Sequence, residues 1–353
     1  MADYPLSATE LAAADPAPIF EFIRGNYATE LLAAAVAHFK LFEHLKGGPL
    51  PFNNLRRKMG LAERPASVLL TAMQAMKLIG KDEDGRLCLS PLAIEHLTGG
   101  PFDVSDYLGL NGKSAGVLEM VWRLKSNQAA NADTNTGAAF IYREGIESAM
   151  EHEDQARALT LALAGRSRNI APVLAQQVPM GEARMLLDVG GGTGIYSIAL
   201  LQKNPELRAI VWDRPEVLKV AAEMGAQYGV LSRLELREGD MFADPVPKGA
   251  DTILLSNILH DWDVPECRAL IARLAATLSE GGRMLIHDAL LSDELDGPLP
   301  VALYSAALFS LTEGRAYSRA EYVEWLEESK LSAGAPIPTL IHCSVIVGTK
   351  TKQ

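Results

Sequence analysis

The sequence of 353 residues predicts an α/β fold, in which a mostly parallel sheet follows a helical N-terminal part. Two observations lead to this prediction. After Pro179, apolar runs of strand length alternate with helical stretches, as in a parallel sheet with helices on both faces. Before Pro179, apolar residues recur at steps of three and four, which is the spacing of amphipathic helices. We expect three domains, spanning residues 1–103, 104–178 and 179–353.

The N-terminal part begins with a helical pattern over residues 19–45. Two shorter helices are predicted at residues 53–59 and 64–78. Residues 82–85, Asp-Glu-Asp-Gly, then predict a hairpin turn between two short apolar runs. Helix, helix and β-hairpin in this order indicate a winged helix, and residues 104–178 predict further helices.

Seven strands are predicted after Pro179, and they define the expected sheet. They span residues 185–189, 209–212, 234–236, 252–255, 283–287, 339–341 and 343–348. Two local signals support the helix predicted at residues 264–279: Asp263 is the expected N-cap, and Glu266 is the matching capping-box residue.

Composition and charge disfavour several classes of protein. The formal net charge of −11 disfavours binding to nucleic acid or to an anionic membrane surface. The three cysteines lie far apart, which argues against a disulfide framework and for a reducing compartment. We find no signal peptide and no apolar stretch of membrane-spanning length, so we expect a cytoplasmic protein.

The most informative segment is Leu-Leu-Asp-Val-Gly-Gly-Gly-Thr-Gly-Ile, residues 186–195. A strand, a tight glycine turn and a helix N-terminus together form a nucleotide-binding site in α/β folds. A dinucleotide fingerprint would place its third glycine where Ile195 stands, whereas this loop has Gly190, Gly192 and Gly194. The G-x-G-x-G form favours S-adenosylmethionine (SAM) over a nicotinamide cofactor.

Acidic residues follow the next two predicted strands. Asp213 ends the second strand, where a carboxylate can accept two hydrogen bonds from a ribose diol. Asp240 follows the third strand and is predicted to bind the adenine amino group, with Met241 against the ring face. Both interpretations depend on the glycine loop, because a loop aspartate or a core methionine alone is common.

His260 follows the fourth predicted strand, at the edge where open α/β sheets bind their ligands. Histidine suits general-base catalysis because its ordinary pKa is close to neutrality. Asp288, which ends the fifth strand, is predicted to contact the His260 ring and to fix its tautomer. Two histidines beside Asp261 and Asp288 also permit a metal site, although nothing has the spacing of a helical zinc motif, and we expect no metal.

These motifs in this order resemble the SAM-dependent class I O-methyltransferases of the caffeate and hydroxyindole type, a group that includes bacterial natural-product enzymes. The segments that carry the resemblance are LLDVGGGTG, WDRP, GDMF and LHDW. It implies a Rossmann-like SAM-binding domain preceded by a winged-helix dimerisation domain, and therefore a homodimer. The cofactor residues that we predict are Gly190, Gly192, Gly194, Asp213, Arg214, Asp240, Met241 and Ser256. The predicted catalytic residues are His260 as the base, with Asp288 and Asp261 beside it.

The chain departs from the family pattern at three positions. Ser256 stands where plant members carry a lysine that contacts the cofactor, and Leu311 stands where some carry an asparagine that holds the acceptor. A second acidic residue beside the histidine is lost, because the corresponding segment, residues 314–318, is Gly-Arg-Ala-Tyr-Ser. Ring orientation then depends on Asp288, with Glu313 as a candidate substitute.

The resemblance also implies an acceptor pocket and a reaction. The predicted pocket residues are Trp122, Phe140, Leu163, Tyr304, Leu308 and Leu311, which suit a flat aromatic or polyketide acceptor. We expect in-line methyl transfer from SAM, with S-adenosylhomocysteine as product and His260 taking the proton of a phenolic hydroxyl.

Three alternatives stay open on the sequence alone. C-methylation or hydroxylation with retained SAM would use the same fold, with a different part for the histidine. A nicotinamide oxidoreductase is disfavoured by Ile195 in the third-glycine position. A winged-helix transcription regulator is disfavoured because the expected recognition helix, residues 64–78, carries only Arg64 and Lys77 as basic residues.

Overall fold

The computed structural model describes residues 6–128 and 153–351, and these form two compact units. The helical unit contains residues 19–128 and 291–318. The sheet unit contains residues 6–18, 153–290 and 319–351. Residues 291–318, which lie within the predicted domain 179–353, therefore group with the helical unit, and the boundaries at residues 103 and 178 stay predictions.

The helices and strands are numbered along the chain. Residues 6–128 form α1 (Ala17–Ile23), α2 (Asn26–Ala37), α3 (Leu41–Leu45), α4 (Phe52–Met59), α5 (Glu63–Ala75), β1 (Ile79–Lys81), β2 (Leu87–Leu89), α6 (Pro91–His96), α7 (Ser105–Gly109) and α8 (Ala115–Ser126). Residues 153–351 form α9 (Glu153–Gln177), β3 (Met185–Val189), α10 (Ile195–Lys203), β4 (Arg208–Asp213), α11 (Pro215–Gln227), β5 (Leu234–Glu238), β6 (Thr252–Ser256), α12 (Val264–Ala275), β7 (Arg283–Leu291), α13 (Leu299–Leu311), β8 (Tyr317–Ser318), α14 (Arg319–Glu328), β9 (Leu331–Ala333), β10 (Ile337–Pro338) and β11 (Cys343–Lys350).

The long helical pattern over residues 19–45 is divided into three helices in the structure. Gly25 lies between α1 and α2, and Lys40 between α2 and α3. Lys40 has φ +49°, which is left-handed backbone that an α-helix cannot continue through. The apolar spacing therefore predicted which residues are helical and not where the helices break.

The order of elements predicted for a winged helix is present in the helical unit. Helices α4 and α5 are followed by an antiparallel hairpin in which Ile79 pairs with Leu89. Helix α13 packs in the same unit, where the Arg64 guanidinium lies 4.7 Å from the ring centroid of Phe309 and donates to the Thr312 carbonyl at 3.2 Å. These contacts explain why residues 291–318 group with the N-terminal helices.

The sheet unit has the predicted α/β architecture, and the prediction of the fold class is confirmed. Its main path has seven strands within the described residues, in the order β10-β11-β7-β6-β3-β4-β5. Strands β5, β4, β3, β6 and β7 are parallel, and β11 runs antiparallel to β7. The chain moves outward from β3 to β5 and then crosses to β6, so a topological switch lies beside β3, where open α/β sheets bind ligands.

The strand predicted at residues 339–341 is not present. The structure has a turn there, because Ile341 and His342 both have positive φ, +54° and +61°. The short strands β9 and β10 precede it, and both pair with β11. A run of apolar residues was not enough to place this edge of the sheet.

Candidate active site

The glycine loop joins β3 to α10 at the switch point. Gly190, Gly192 and Gly194 all have positive φ, between +60° and +69°, so all three use backbone that other residues adopt only with strain. Gly194 forms the N-cap of α10, and Ile195 begins the helix as a buried residue. A Cβ atom placed on Gly192 would meet nothing within 4 Å, so the backbone there is open to a ligand.

Asp213 ends β4 and holds the loop from beside it. Its Oδ2 accepts a hydrogen bond from the Gly192 N–H at 2.8 Å, and its Oδ1 accepts one from the Arg214 N–H at 2.7 Å. Burial raises the pKa of Asp213, and the two hydrogen bonds and the charge of Arg214 oppose the rise. Each carboxylate oxygen keeps a second lone pair with which it can accept from a bound diol.

Asp240 and Met241 lie in the loop after β5. Asp240 Oδ1 accepts from the Phe242 N–H at 2.7 Å, which fixes the turn, and Oδ2 lies 3.7 Å from Arg214 Nη1. The Met241 carbonyl accepts from Arg273 Nη1 at 2.9 Å. The loop is thus held from both sides, next to the strand that ends in Asp213.

Asp188 is a buried acidic residue of β3 to which the sequence analysis gave no role. Its Oδ2 accepts from Ser197 Oγ at 2.7 Å, and Oδ1 has no hydrogen-bond partner within the described part of the chain. Burial raises the pKa of Asp188 to about 7, with the Ser197 hydrogen bond opposing and the charge of Asp213 adding to the rise. This carboxyl therefore holds a proton more readily than an ordinary aspartate does, and it lies against the glycine loop, where a Cβ atom placed on Gly191 would meet it.

Ser256 lies in a hydrogen-bond chain that sets the direction of its hydroxyl proton. Thr339 Oγ1 donates to the Cys343 carbonyl at 3.0 Å, so it accepts from His287 Nε2–H, also at 3.0 Å. His287 Nδ1 then accepts from Ser256 Oγ at 2.8 Å. Burial and the charge of Arg166 lower the pKa of His287 to about 3, which keeps this ring neutral. The Asn257 Nδ2 amide already donates to Ser256 Oγ at 3.1 Å, so Ser256 offers a further partner at most one lone pair and no proton.

His260 lies on a short 3₁₀ turn after β6 and is buried. Its Nδ1 is 2.6 Å from Asp288 Oδ1, the contact that the sequence predicted, and its Nε2 is 3.6 Å from Asp261 Oδ1. Burial acts to lower the pKa of His260, but the charges of Asp288 and Asp261 outweigh it, so the pKa lies above the usual 6.5.

The two carboxyl groups beside His260 differ in their proton affinity. Burial raises the pKa of Asp261 to about 6. Burial also acts to raise the pKa of Asp288, but the charge of His260 and the accepted hydrogen bonds outweigh it and hold that pKa below its ordinary value. Because Asp288 is ionised and can only accept, His260 carries its proton on Nδ1 and leaves Nε2 as the basic nitrogen.

Tyr322 on α14 also belongs to the hydrogen-bond network around His260, as a partner of Asp288 that the sequence did not predict. Its hydroxyl donates to Asp288 Oδ2 at 3.0 Å. No local motif marks it, because the contact depends on how α14 packs against the sheet.

The predicted acceptor residues fall on several helices. Tyr304, Leu308 and Leu311 lie at helical spacing on α13, where Leu308 is buried and Leu311 is exposed. The Tyr304 ring lies under the Arg24 guanidinium, 3.8 Å from its centroid. Trp122 on α8 and Leu163 on α9 are about half exposed. Phe140 lies outside the described residues, and a pocket shared by these side chains stays a prediction.

Within residues 6–128 and 153–351, no group of three or more His, Cys, Asp and Glu residues is arranged to hold a metal ion. Across the same residues, no helix is both long and apolar enough to cross a membrane.

Fold and site together define a Rossmann-like methyltransferase: a glycine loop at the switch point, acidic residues at the neighbouring strand ends and a paired histidine. Residues 129–331 match the family model of the O-methyltransferase domain. The chain belongs to this O-methyltransferase family, as its motifs predicted, and SAM is its methyl donor.

The chain is also similar to individual proteins over most of its length. It is 33% identical to 3-hydroxy-5-methyl-1-naphthoate 3-O-methyltransferase of Streptomyces sahachiroi, over 90% of each chain. It is 29% identical to L-tyrosine C(3)-methyltransferase of Streptomyces lavendulae, over 85% of this chain and 81% of that one. A crystal structure of an O-methyltransferase family 2 protein from Planctomyces limnophilus, in complex with apigenin, is 47% identical, with a TM-score of 0.88 and coverage of 98% and 99%.

Proposed function

We propose that this enzyme methylates a hydroxyl group of a small aromatic or polyketide-like acceptor, without a metal, and that His260 is the general base. The observation that carries the proposal is the buried contact of 2.6 Å between His260 and Asp288, at the sheet edge where the glycine loop also lies. The naphthoate acceptor of the Streptomyces relative and the apigenin bound to the Planctomyces protein support an aromatic substrate.

The residues of the sheet unit fit SAM. Gly192 leaves its backbone open to a ligand, and Asp213 offers acceptor oxygens beside it. Ser256, whose proton is held by His287, presents an acceptor oxygen that suits a donor such as the ammonium of the methionine part. When bound, SAM supplies a methyl group activated by the positive charge of its sulfonium.

The step that we propose for the chain's own residues is the transfer of a proton to Nε2 of His260. Asp288 holds the Nδ1 proton of His260, so Nε2 can take the proton of an acceptor hydroxyl. The charges of Asp288 and Asp261 then stabilise the imidazolium that forms. Burial of the ring strengthens these electrostatic interactions, because the surroundings screen charge less than water does.

Incubation with methyl-labelled SAM and a panel of small phenols tests this function. We expect label in a product that is heavier by one methyl group, with equal turnover after treatment with a chelator. The carbon NMR shift of the methyl group distinguishes an O-methyl from a C-methyl product. C-methylation is tested because one relative is an L-tyrosine C(3)-methyltransferase. Turnover abolished by the chelator and restored by a divalent ion would overturn metal independence.

Substitution of Gly192 by alanine tests the cofactor position. The new methyl group would fill the open space beside the loop, so we expect SAM affinity to fall by about tenfold or more in calorimetry. Gly281→Ala is the matched control, because Gly281 also has positive φ, +77°, and open space around it. Both variants carry a strain of about 1–2 kcal/mol, and only Gly192→Ala is expected to weaken binding. Equal SAM affinity in both would count against the assignment of this loop.

A homodimer and a cytoplasmic location, both expected from the sequence, complete the proposal. Ile19, Phe22 and Ile23 on α1 are each more than two-thirds exposed, which supports burial of this helix against a second copy.

A further inference from the structure

We propose that Tyr322 is a positioning residue for His260, and that it acts by fixing the carboxylate of Asp288. The inference rests on the proposed role of His260 as the base. It assigns a function to a residue on α14 that no catalytic motif of the chain contains.

The hydrogen bonds to Asp288 fix the orientation of its carboxylate group. Oδ2 accepts from the Tyr322 hydroxyl at 3.0 Å, while Oδ1 accepts from His260 Nδ1 at 2.6 Å and from the Ala289 N–H at 2.8 Å. Without the Tyr322 contact, the described partners of Asp288 would all lie on one carboxylate oxygen. The tyrosine therefore restricts rotation of the carboxylate and, through it, the tilt of the imidazole.

Tyr322 is itself held rigidly. It is fully buried, and its ring packs edge-on against that of Trp325 with centroids 5.4 Å apart. Phenylalanine would fill nearly the same volume, so packing alone does not require a hydroxyl at this position. A buried hydroxyl is costly unless it makes a hydrogen bond, and here the acceptor is the ionised partner of the base.

The contact between Tyr322 and Asp288 also bears on the family's second acidic residue, which this chain lacks. The segment that resembles the family's second acidic position carries Ala316 instead. With fewer acidic partners, the base depends more on the geometry of Asp288. A hydrogen bond from Tyr322 supports that geometry without adding a negative charge to a site that already contains Asp261 and Asp288.

Several charged or titratable groups face the His260–Asp288 pair. Asp261 lies on the same turn as His260, and His287 precedes Asp288 on β7. The positive charge of Arg166, on α9, acts on His260. Asp261 raises the proton affinity of His260, whereas Arg166 lowers it. The hydrogen bond from Tyr322 stabilises the Asp288 carboxylate and so acts to lower the pKa of Asp288. A carboxylate that accepts this bond attracts the imidazolium less strongly, so we expect the bond to lower the proton affinity of His260 as well.

Tyr322→Phe tests the proposal through the pH profile of kcat/KM. The acid limb reports protonation of the pair, and loss of the hydrogen bond is expected to shift it upward by about 0.5–1 pH unit. We expect kcat to fall by about tenfold because the ring is less well positioned. SAM affinity, measured by calorimetry, should be unchanged and shows that the variant is folded.

Tyr228→Phe is the matched control, because Tyr228 is a buried tyrosine at the end of α11. It should leave the acid limb where it is. The double variant Tyr322→Phe with Asp288→Asn separates positioning from packing: the tyrosine change should add little once the carboxylate is gone. An additive loss, or an acid limb in Tyr322→Phe equal to that of the control, overturns the inference.

His260→Ala distinguishes this failure from failure of the proposed function. If His260→Ala keeps full turnover, His260 is not the base, and the role of Tyr322 falls with it. If His260→Ala is inactive while Tyr322→Phe keeps the acid limb and kcat of the native enzyme, only the inference about Tyr322 is wrong.

Discussion

Replacement of His260 by glutamine is expected to lower kcat by about 10²–10⁴-fold, the range that a general base contributes. Glutamine is close to histidine in volume and carries a polar amide, so the substitution leaves no large cavity in the buried site. It cannot take a proton at neutral pH. The loss should therefore fall on turnover, while the affinity for SAM stays within about twofold.

The measurements are kcat with a phenolic acceptor and the dissociation constant of SAM by calorimetry. His44→Gln on α3 is the matched control, because it makes the same substitution outside the sheet unit. Its kcat should equal that of the native enzyme. Full turnover by His260→Gln would show that another group takes the proton.

The pH dependence of the native enzyme follows from the same contact. The charges of Asp288 and Asp261 raise the pKa of His260 above 6.5 against the effect of burial, and the base works only when it is neutral. Activity is therefore expected to be low in acid and to rise as the pH passes upward through this raised pKa. His260→Gln should lose that limb, because the titrating ring is gone.

The sequence predicted the parts of the site that follow from local pattern and strand order. Glycines after a buried strand predict a tight loop, and carboxyl ends of parallel strands share one edge, so Asp213, Asp240 and His260 could be expected to lie close together. The contact between His260 and Asp288 followed from the same argument, because β6 and β7 are parallel neighbours.

Two of the missed residues share a different cause. Thr339 and Tyr322 meet the site only because later parts of the chain pack back onto the parallel strands. Their contacts join residues 52 and 34 positions apart, and no spacing rule connects such pairs. Asp188 was missed for another reason, since burial sets its proton affinity and a sequence shows burial poorly.

Replacement of Asp213 by alanine is expected to weaken SAM binding by about 10²-fold or more. The carboxylate has two tasks: it holds the Gly192 N–H of the loop, and it is proposed to accept from the ribose hydroxyls. Hydrogen bonds to a charged group contribute about 1.5–3 kcal/mol each, so loss of the pair accounts for this factor. Glu235→Ala, an exposed acidic residue of β5, is the control and should bind SAM normally.

A 2′-deoxy analogue of S-adenosylhomocysteine separates the two tasks of Asp213. If the carboxylate binds the diol, the native enzyme should prefer the full ligand strongly, and Asp213→Ala should lose most of that preference. If it only supports the loop, both ligands should weaken together and the preference should stay. Burial raises the pKa of Asp213, so affinity for the full ligand should also fall as the pH drops toward that pKa, because a protonated carboxyl offers fewer acceptors. A preference that is unchanged by the substitution would leave Asp213 as a support of the glycine loop alone.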